Sequence, residues 1–230
     1  MCKKFSWLIV IFGMLTTNAF AQEVTPVLNS GATAVLFSFN GLANLGANSF
    51  DGGLGGKWYW SDQWAVRAGL QFATGSVDIP SNPPPGSTGT DGSVSAWRLG
   101  IGFAAEYHLT KSRVTPYFGG GVGFAITRTE SKNPVISASQ TTVKNNRNGE
   151  TLIGQTFFGG TSFDIYGLGG VEFFLTKEVS LAAEYRLGAT FVSRADEERI
   201  NANTSITSKL GSSSMFGITT GGALTLAVYF

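Results

Sequence analysis

The amino-acid sequence predicts an all-β protein, in which eight antiparallel strands close into an up-and-down transmembrane β-barrel. Segments that alternate apolar with small or polar residues recur from residue 33 to Phe230, as strands do when their two faces meet different surroundings. Short connections between these segments alternate with long ones. Outside residues 5–15, no apolar run approaches the length of about 20 residues that a membrane helix needs, so strands would have to cross the membrane.

The eight predicted strands lie at the alternating segments, and turns or loops lie at the polar breaks. The strands are predicted at residues 33–42, 50–60, 64–74, 94–109, 114–127, 161–175, 179–191 and 215–230. Short turns follow the second, fourth and sixth strands, at residues 61–63, 110–113 and 176–178. Long loops follow the third, fifth and seventh strands, at residues 75–93, 128–160 and 192–214. This asymmetry is typical of bacterial membrane barrels, whose short turns are periplasmic and whose long loops are extracellular.

One face of each strand is apolar and the other is small or polar. From the third strand onward, the main outward positions are Trp64, Val66, Leu70, Phe72; Trp97, Leu99, Ile101, Phe103, Tyr107; Phe118, Val122, Phe124; Phe163, Ile165, Val171, Phe173; Leu181, Tyr185, Leu187, Phe191; and Leu224, Leu226, Val228, Phe230. Trp97 and Tyr107 are ten residues apart on one such face. At roughly 2.5 Å of height per residue in a tilted strand, that spacing spans about 25 Å, which is the height of a lipid-facing band between aromatic girdles.

The N-terminus has the layout of a secretory signal peptide. Lys3 and Lys4 precede an apolar run at residues 5–15, and Ala19 and Ala21 flank a cleavage point. We therefore expect residues 1–21 to be removed and residues 22–230 to form a single barrel domain. Cys2, the single cysteine, lies ahead of the apolar run, so the mature chain would contain no disulfide or cysteine-based metal site.

Eight charged residues fall on the inward faces of the predicted strands. They are Lys57, Arg67, Arg98, Glu106, Asp164, Glu172, Glu184 and Arg186. An eight-stranded barrel has room inside only for side chains, and unpaired buried charges cost several kcal/mol. We therefore predict an interior network of ion pairs, with inward glycines making room for the long side chains. A structural plug is favoured over an ion path or gate.

Composition and motifs argue against several classes of function. The formal charge is +1, and loss of Lys3 and Lys4 would turn it into −1, so no basic face for nucleic acid is predicted. The charged fraction of 13% is about half the usual level. His108, the single histidine, lies beside a predicted periplasmic turn with Lys111 and Glu106 nearby, and we interpret it as an interfacial polar residue. Catalytic residues, cofactors and metal ligands are predicted to be absent.

The signal peptide, the eight strands, the asymmetry of the connections and the terminal Phe230 resemble the small OmpA/OmpX-like outer-membrane barrels. The resemblance implies export through the periplasm to the cell outer membrane, contact with its lipid and lipopolysaccharide, and delivery by periplasmic chaperones and the barrel-assembly machinery. It also implies an assembly signal at Leu224, Leu226, Val228 and Phe230. Val228 departs from the family, which often has an aromatic residue at that place. No peptidoglycan-binding domain follows the barrel, so anchoring to the cell wall is not implied.

The resemblance leaves several functions open. We favour a structural or surface-interaction role, in adhesion or ligand binding, through the extracellular loops, with the ligand unidentified. A narrow pore or gated channel is the alternative. A lipid-modifying enzyme and a soluble lipocalin-like barrel are less favoured, and the oligomeric state stays open.

Overall fold

A computed structural model describes residues 25–39, 49–152, 155–201, 204–209 and 212–230. The predicted signal peptide and residues 40–42 of the first predicted strand lie outside the described residues. The strands are β1 (Thr33–Phe39), β2 (Ser49–Tyr59), β3 (Trp64–Ile79), β4 (Gly89–Thr90), β5 (Gly92–His108), β6 (Val114–Lys132), β7 (Val135–Ile136), β8 (Thr142–Lys144), β9 (Glu150–Leu152), β10 (Gln155–Phe157), β11 (Gly160–Phe174), β12 (Val179–Arg194), β13 (Glu197–Asn201), β14 (Thr204–Ser208) and β15 (Ser212–Tyr229).

Eight of these strands form a closed antiparallel barrel. Their order is β11-β12-β15-β1-β2-β3-β5-β6, and pairing between β6 and β11 closes the ring. β1 joins β15 in a register that places Ala34 opposite Tyr229, so the first and last strands are neighbours. The predicted fold class is therefore confirmed.

Side chains on the barrel strands sort by parity into an apolar outer face and a buried inner face. Leu70 and Phe103 are each 55% exposed, and both lie on the outer face. On the inner face, Ala104, Tyr117 and Ala182 are buried. A continuous exposed apolar surface of this kind is stable in lipid and unstable in water. No helix in the described part of the chain is long and apolar enough to cross a membrane.

The short-turn end of the barrel is covered by the segment before β1. Leu28 is 1% exposed and packs in a cluster with Tyr59, Phe174 and Tyr229. The segment is held by hydrogen bonds from the Gly31 amide to the Tyr59 carbonyl (2.7 Å) and from the Val27 amide to the Lys177 carbonyl (3.4 Å). This end of the lumen is therefore closed by an apolar layer.

The opposite end carries more ordered structure than the sequence predicted. β3 continues to Ile79 and β6 to Lys132, and β8 and β13 extend the sheet of β6. The prediction of loops without strands at residues 75–93, 128–160 and 192–214 is therefore wrong in these places. Beyond the lipid band no apolar face is required, so backbone pairing continues without the alternation that marks a strand in the sequence.

Candidate functional site

The eight charged residues predicted to face the lumen all form ion pairs. Six of them form one connected network near the short-turn end: Lys57, Arg67, Glu106, Glu172, Glu184 and Arg186. The other two, Arg98 and Asp164, pair with each other nearer the long-loop end. We call the first group the inner network and the second the outer pair.

Lys57 is the centre of the deeper half of the inner network. Its Nζ atom lies 2.9 Å from Glu106 Oε2 and 3.2 Å from Glu172 Oε2. The side chain of Lys57 is 4% exposed, and the side chains of both glutamates are 0% exposed. Two carboxylates therefore share one ammonium group out of contact with water.

Arg67 links this half to the second half of the inner network. Its Nη1 atom lies 2.8 Å from Glu106 Oε1 and 2.7 Å from Glu184 Oε2. Glu184 is also paired with Arg186 through the Nε atom of that arginine. Since each carboxylate contacts at least one cation, the network satisfies the requirement that buried charges be paired.

The outer pair is looser and more exposed. Arg98 Nη2 lies 3.8 Å from Asp164 Oδ2, and the two side chains are 39% and 24% exposed. Asp164 also accepts a hydrogen bond of 2.6 Å from the Thr190 hydroxyl. The lumen is therefore sealed at the inner network and more open above it.

Hydroxyl groups that the sequence analysis did not assign to the site complete the inner network. Tyr229 donates to Glu172 Oε1 over 2.7 Å, and Tyr117 donates to Glu184 Oε2 over 3.2 Å. Ser180 also donates to Glu172. The alternation of side chains along each strand could have predicted both tyrosines. Tyr117 and Tyr229 each fall on the inward face, which in the neighbouring strands carries the charged residues.

The interpretation of His108 as an interfacial residue is wrong. His108 is 1% exposed, its Nε2 atom lies 3.0 Å from the Tyr59 hydroxyl and 3.2 Å from Glu106 Oε2, and its ring stacks on Tyr117 at 5.2 Å. His108 shares the inward parity of Glu106, and its ring centre lies 5.1 Å from that of Tyr59, a member of the cluster that contains Leu28. Lys111 instead pairs with Asp62 in the adjacent turn, at 2.8 Å.

Inward glycines lie where long side chains cross the lumen. A Cβ atom on Gly170 would lie 2.6 Å from the Tyr117 ring, and one on Gly121 would lie 2.6 Å from the Tyr166 hydroxyl. Both distances are well inside van der Waals contact. Glycine at these positions therefore lets each tyrosine occupy the centre of the barrel.

Carboxylates outside the lumen have pKa values below their ordinary range, and Asp62 and Glu197 are two of them. Hydrogen bonding and charge from Lys111, with a bond from the Ser30 amide, lower the pKa of Asp62. In β13, the Arg147 amide and the Arg199 side chain bond to Glu197 and lower its pKa. Asp62 joins its turn to Ser30 and Lys111, and Glu197 joins β13 to Arg147 in the connection that follows β8.

The geometry of this site pairs buried charges with one another and leaves no reactive group exposed in the inner network. In the described ranges, no group of three or more His, Cys, Asp or Glu side chains is placed to hold a metal ion. The buried charges are engaged with one another, and Leu28 and its neighbours cover the short-turn side. The four residues of the predicted assembly signal lie elsewhere, three on the outward face of β15 and Phe230 directly after it, and Val228 and Phe230 are exposed.

A closed ring of strands with an apolar outer face and a sealed polar interior defines a small transmembrane β-barrel. The family model described as "Outer membrane protein beta-barrel domain" matches residues 8–211, and the chain belongs to this family. The protein is accordingly an integral outer-membrane protein, surrounded by outer-membrane lipid and lipopolysaccharide.

Two solved structures of outer-membrane proteins are similar to this chain at low sequence identity. The outer membrane protein OprG from Pseudomonas aeruginosa is 13% identical, with a TM-score of 0.43, over 90% of this chain and 99% of OprG. Ail, the attachment invasion locus protein of Yersinia pestis, is 11% identical, with a TM-score of 0.36, over 87% of this chain and 99% of Ail. Among curated proteins, none matches this sequence.

Proposed function

We propose that this protein is a surface-binding protein, which captures extended polypeptide segments on an ordered sheet at the long-loop end of its barrel. The proposal includes an orientation, in which the short turns face the periplasm and the long-loop end faces the exterior. The main observation in support of peptide binding is an exposed edge strand, β14, at the end of the sheet that continues from β6.

The sheet that carries β14 is fastened to the barrel by pairing and by charge. β8 pairs with β6 and with β13, and β13 pairs with β14. Lys144 of β8 binds Glu198 of β13 at 3.1 Å. Glu197 accepts hydrogen bonds from the Arg147 amide at 2.7 Å and from Arg199 Nε at 2.8 Å. The edge is therefore presented in a defined position, as a binding surface requires.

The edge itself has the features of a strand-addition site. β14 pairs with β13 on one side, and no described strand pairs with its other side. Ile206, in the middle of β14, is 55% exposed. Exposed edges are usually protected by Lys, Pro or a bulge, and the sequence Thr-Ser-Ile-Thr-Ser contains neither Lys nor Pro. Unpaired backbone groups along such an edge bind an extended peptide as an additional strand.

The test is adhesion of cells that express the protein to surfaces coated with an unfolded, extended polypeptide. Ile206→Lys places a charge on the edge and is expected to lower adhesion severalfold. Ile136→Lys is the matched control, because Ile136 in β7 is also an exposed isoleucine (43%) but lies in a different sheet. Adhesion equal to that of cells without the protein, or equal loss in both variants, would contradict the proposal.

The orientation has its own test in protease treatment of intact cells. Cleavage is expected within residues 128–160 or 192–214. External cleavage at residues 61–63 or 176–178 would show that the short turns face the exterior and would contradict the proposed orientation.

The filled lumen supports surface binding over a pore. A pore would need a water-filled path past Lys57, Glu106 and Glu172, whose side chains are 4%, 0% and 0% exposed, and past the layer that contains Leu28. Planar-bilayer recording of the purified protein is expected to show no conductance steps. Regular steps at neutral pH would favour the pore instead.

We propose further that the protein is not an enzyme. Its single histidine is buried beneath the short-turn end and is held by Tyr59 and Glu106, which supports a structural role for it. Overexpression is expected to leave the mass of lipid A unchanged.

A further inference from the structure

A small cavity lies inside the barrel, on the long-loop side of the inner network. Its volume is about 40 Å³, and since a single water needs about 10–15 Å³ by the same measure, it holds about three or four heavy atoms. Arg67 and Arg186 lie at the side nearest the network, with Tyr166 beside them. The rest of the lumen-facing lining is uncharged: Leu36, Ser38, Gly53, Gly55, Gly69, Gln71, Gly102 and Ala104.

The guanidinium groups of the inner network lie nearer to this cavity than the carboxylates do. The side chains of Arg67 and Arg186 are 11% and 25% exposed, whereas those of their carboxylate partners Glu106 and Glu184 are 0% and 1% exposed. The carboxylates therefore lie below the guanidinium groups, away from the open space. A group that enters the cavity meets positive charge first.

Arg186 supplies hydrogen-bond donors as well as charge. Its Nε atom bonds to Glu184, and its two Nη atoms have no hydrogen-bond partner among the described residues. The guanidinium carbon lies 5.0 Å from the centre of the Tyr166 ring, a contact that holds the planar group in one orientation. Arg67 already uses Nη1 and Nη2 on glutamates, so it contributes charge.

From the size of the cavity and its donors, we propose that the lumen binds a small carboxylate anion at Arg186 and Arg67. A planar guanidinium group with free terminal nitrogens matches two carboxylate oxygens. Formate or acetate has the three or four heavy atoms that fit, whereas a longer acid would extend into the mouth of the barrel. This site does not depend on the binding surface at β14.

The outer pair lies on the route to the cavity. Arg98 and Asp164 are nearer the long-loop ends of β5 and β11 than the cavity residues Gly102 and Tyr166 are. Arg98 is 39% exposed, its contact with Asp164 is 3.8 Å long, and its Nε atom is buried without a hydrogen-bond partner. A loosely paired guanidinium group at the entrance attracts anions and leaves the way open.

The test is saturation-transfer NMR on the purified, folded protein in detergent, with acetate and acetamide in the same sample at constant ionic strength. Acetamide has the same size and shape but no charge. Saturable transfer to the acetate methyl group is expected, with none to acetamide. Arg186→Gln removes the guanidinium group and its two unpaired Nη donors and is expected to weaken acetate binding at least about tenfold.

A second variant tests the cavity without changing any charge. Cβ atoms on Gly69 and Gly102 would each lie 3.7 Å from the nearest atom, so the double change to alanine fills the cavity without a clash and is expected to abolish binding. The control is Gly169→Ala with Gly222→Ala, at two lipid-facing positions with no atom within 4 Å of the new Cβ. Heat-dependent gel mobility checks the fold of each variant. Equal transfer to acetate and acetamide would overturn the proposal. Acetate binding that persists both in Arg186→Gln and in the Gly69→Ala, Gly102→Ala variant would also overturn it.

Discussion

The inner network makes a quantitative prediction about Lys57. Lys57→Met keeps the length of the side chain and removes its charge. Glu106 would keep Arg67 at 2.8 Å, but Glu172 would keep only the hydroxyl groups of Ser180 and Tyr229. Removing one partner of a buried ion pair costs about 3–5 kcal/mol, because it leaves an uncompensated charge out of water. We expect a loss of that size in the free energy of unfolding.

The outer pair provides the matched control for this prediction. Arg98→Met also removes one cation from a lumenal pair, but Arg98 is 39% exposed and 3.8 Å from Asp164. Exposed pairs contribute about 0–1 kcal/mol. The double variant Lys57→Met with Glu172→Gln removes both members of a buried pair, and we expect it to be more stable than Lys57→Met alone.

The assay is urea unfolding of the refolded barrel (residues 22–230) in detergent or lipid vesicles, followed by the fluorescence of its four tryptophans, Trp58, Trp60, Trp64 and Trp97. Unfolding and refolding curves that coincide would establish equilibrium. A loss of stability for Lys57→Met no larger than that for Arg98→Met would contradict the prediction. A double variant less stable than Lys57→Met alone would also contradict it, because the unpaired charge on Glu172 would then not be the cause.

Three further predictions concern the ends of the barrel. Leu28→Ala is expected to cost about 2–5 kcal/mol in the same urea assay, because Leu28 is 1% exposed; no change would mean that its cluster contributes nothing to stability. The lowered pKa of Glu197 stabilises the β13 region above the ordinary glutamate value of about 4.3, and this is lost as the pH falls through the lowered pKa. Protease cleavage near β13 should therefore accelerate in acid, and Glu197→Gln should remove that dependence on pH. Deletion of Phe230 should reduce the heat-modifiable, folded form in outer membranes; an unchanged yield would contradict the predicted assembly signal.

The barrel itself could be predicted from the sequence because the lipid imposes a strict alternation on every crossing strand. Leu99, Ile101 and Phe103 face the same apolar surroundings, so their spacing is visible without a structure. The same parity placed Lys57 and Glu172 in the lumen. The partner of each cation depends on the tilt of the strands and on the closure of the barrel. The sequence of a single strand predicts neither of these two properties.

Two kinds of feature could not be predicted from the sequence, for physical reasons. β13 and β14 lie beyond the apolar band, where both faces meet water or polar groups, so their residues show no alternation. His108 lies next to a turn along the chain, but Tyr59, which is 49 residues away in the sequence, packs against its ring. Proximity to a turn is a poor guide to exposure where another segment closes over that end.

The pairing of β1 with β15 has a consequence for the way this barrel forms. Thr33 and Phe230, which are in contact at the seam, are 197 residues apart. Joining chain segments at that separation costs about 3 kcal/mol more in entropy than closing a ten-residue hairpin. Until the last strand arrives, the growing sheet has two unpaired edges and an uncovered apolar face, the conditions that favour aggregation. Aggregation of this chain is therefore favoured most in the interval before closure, whatever the stability of the finished barrel.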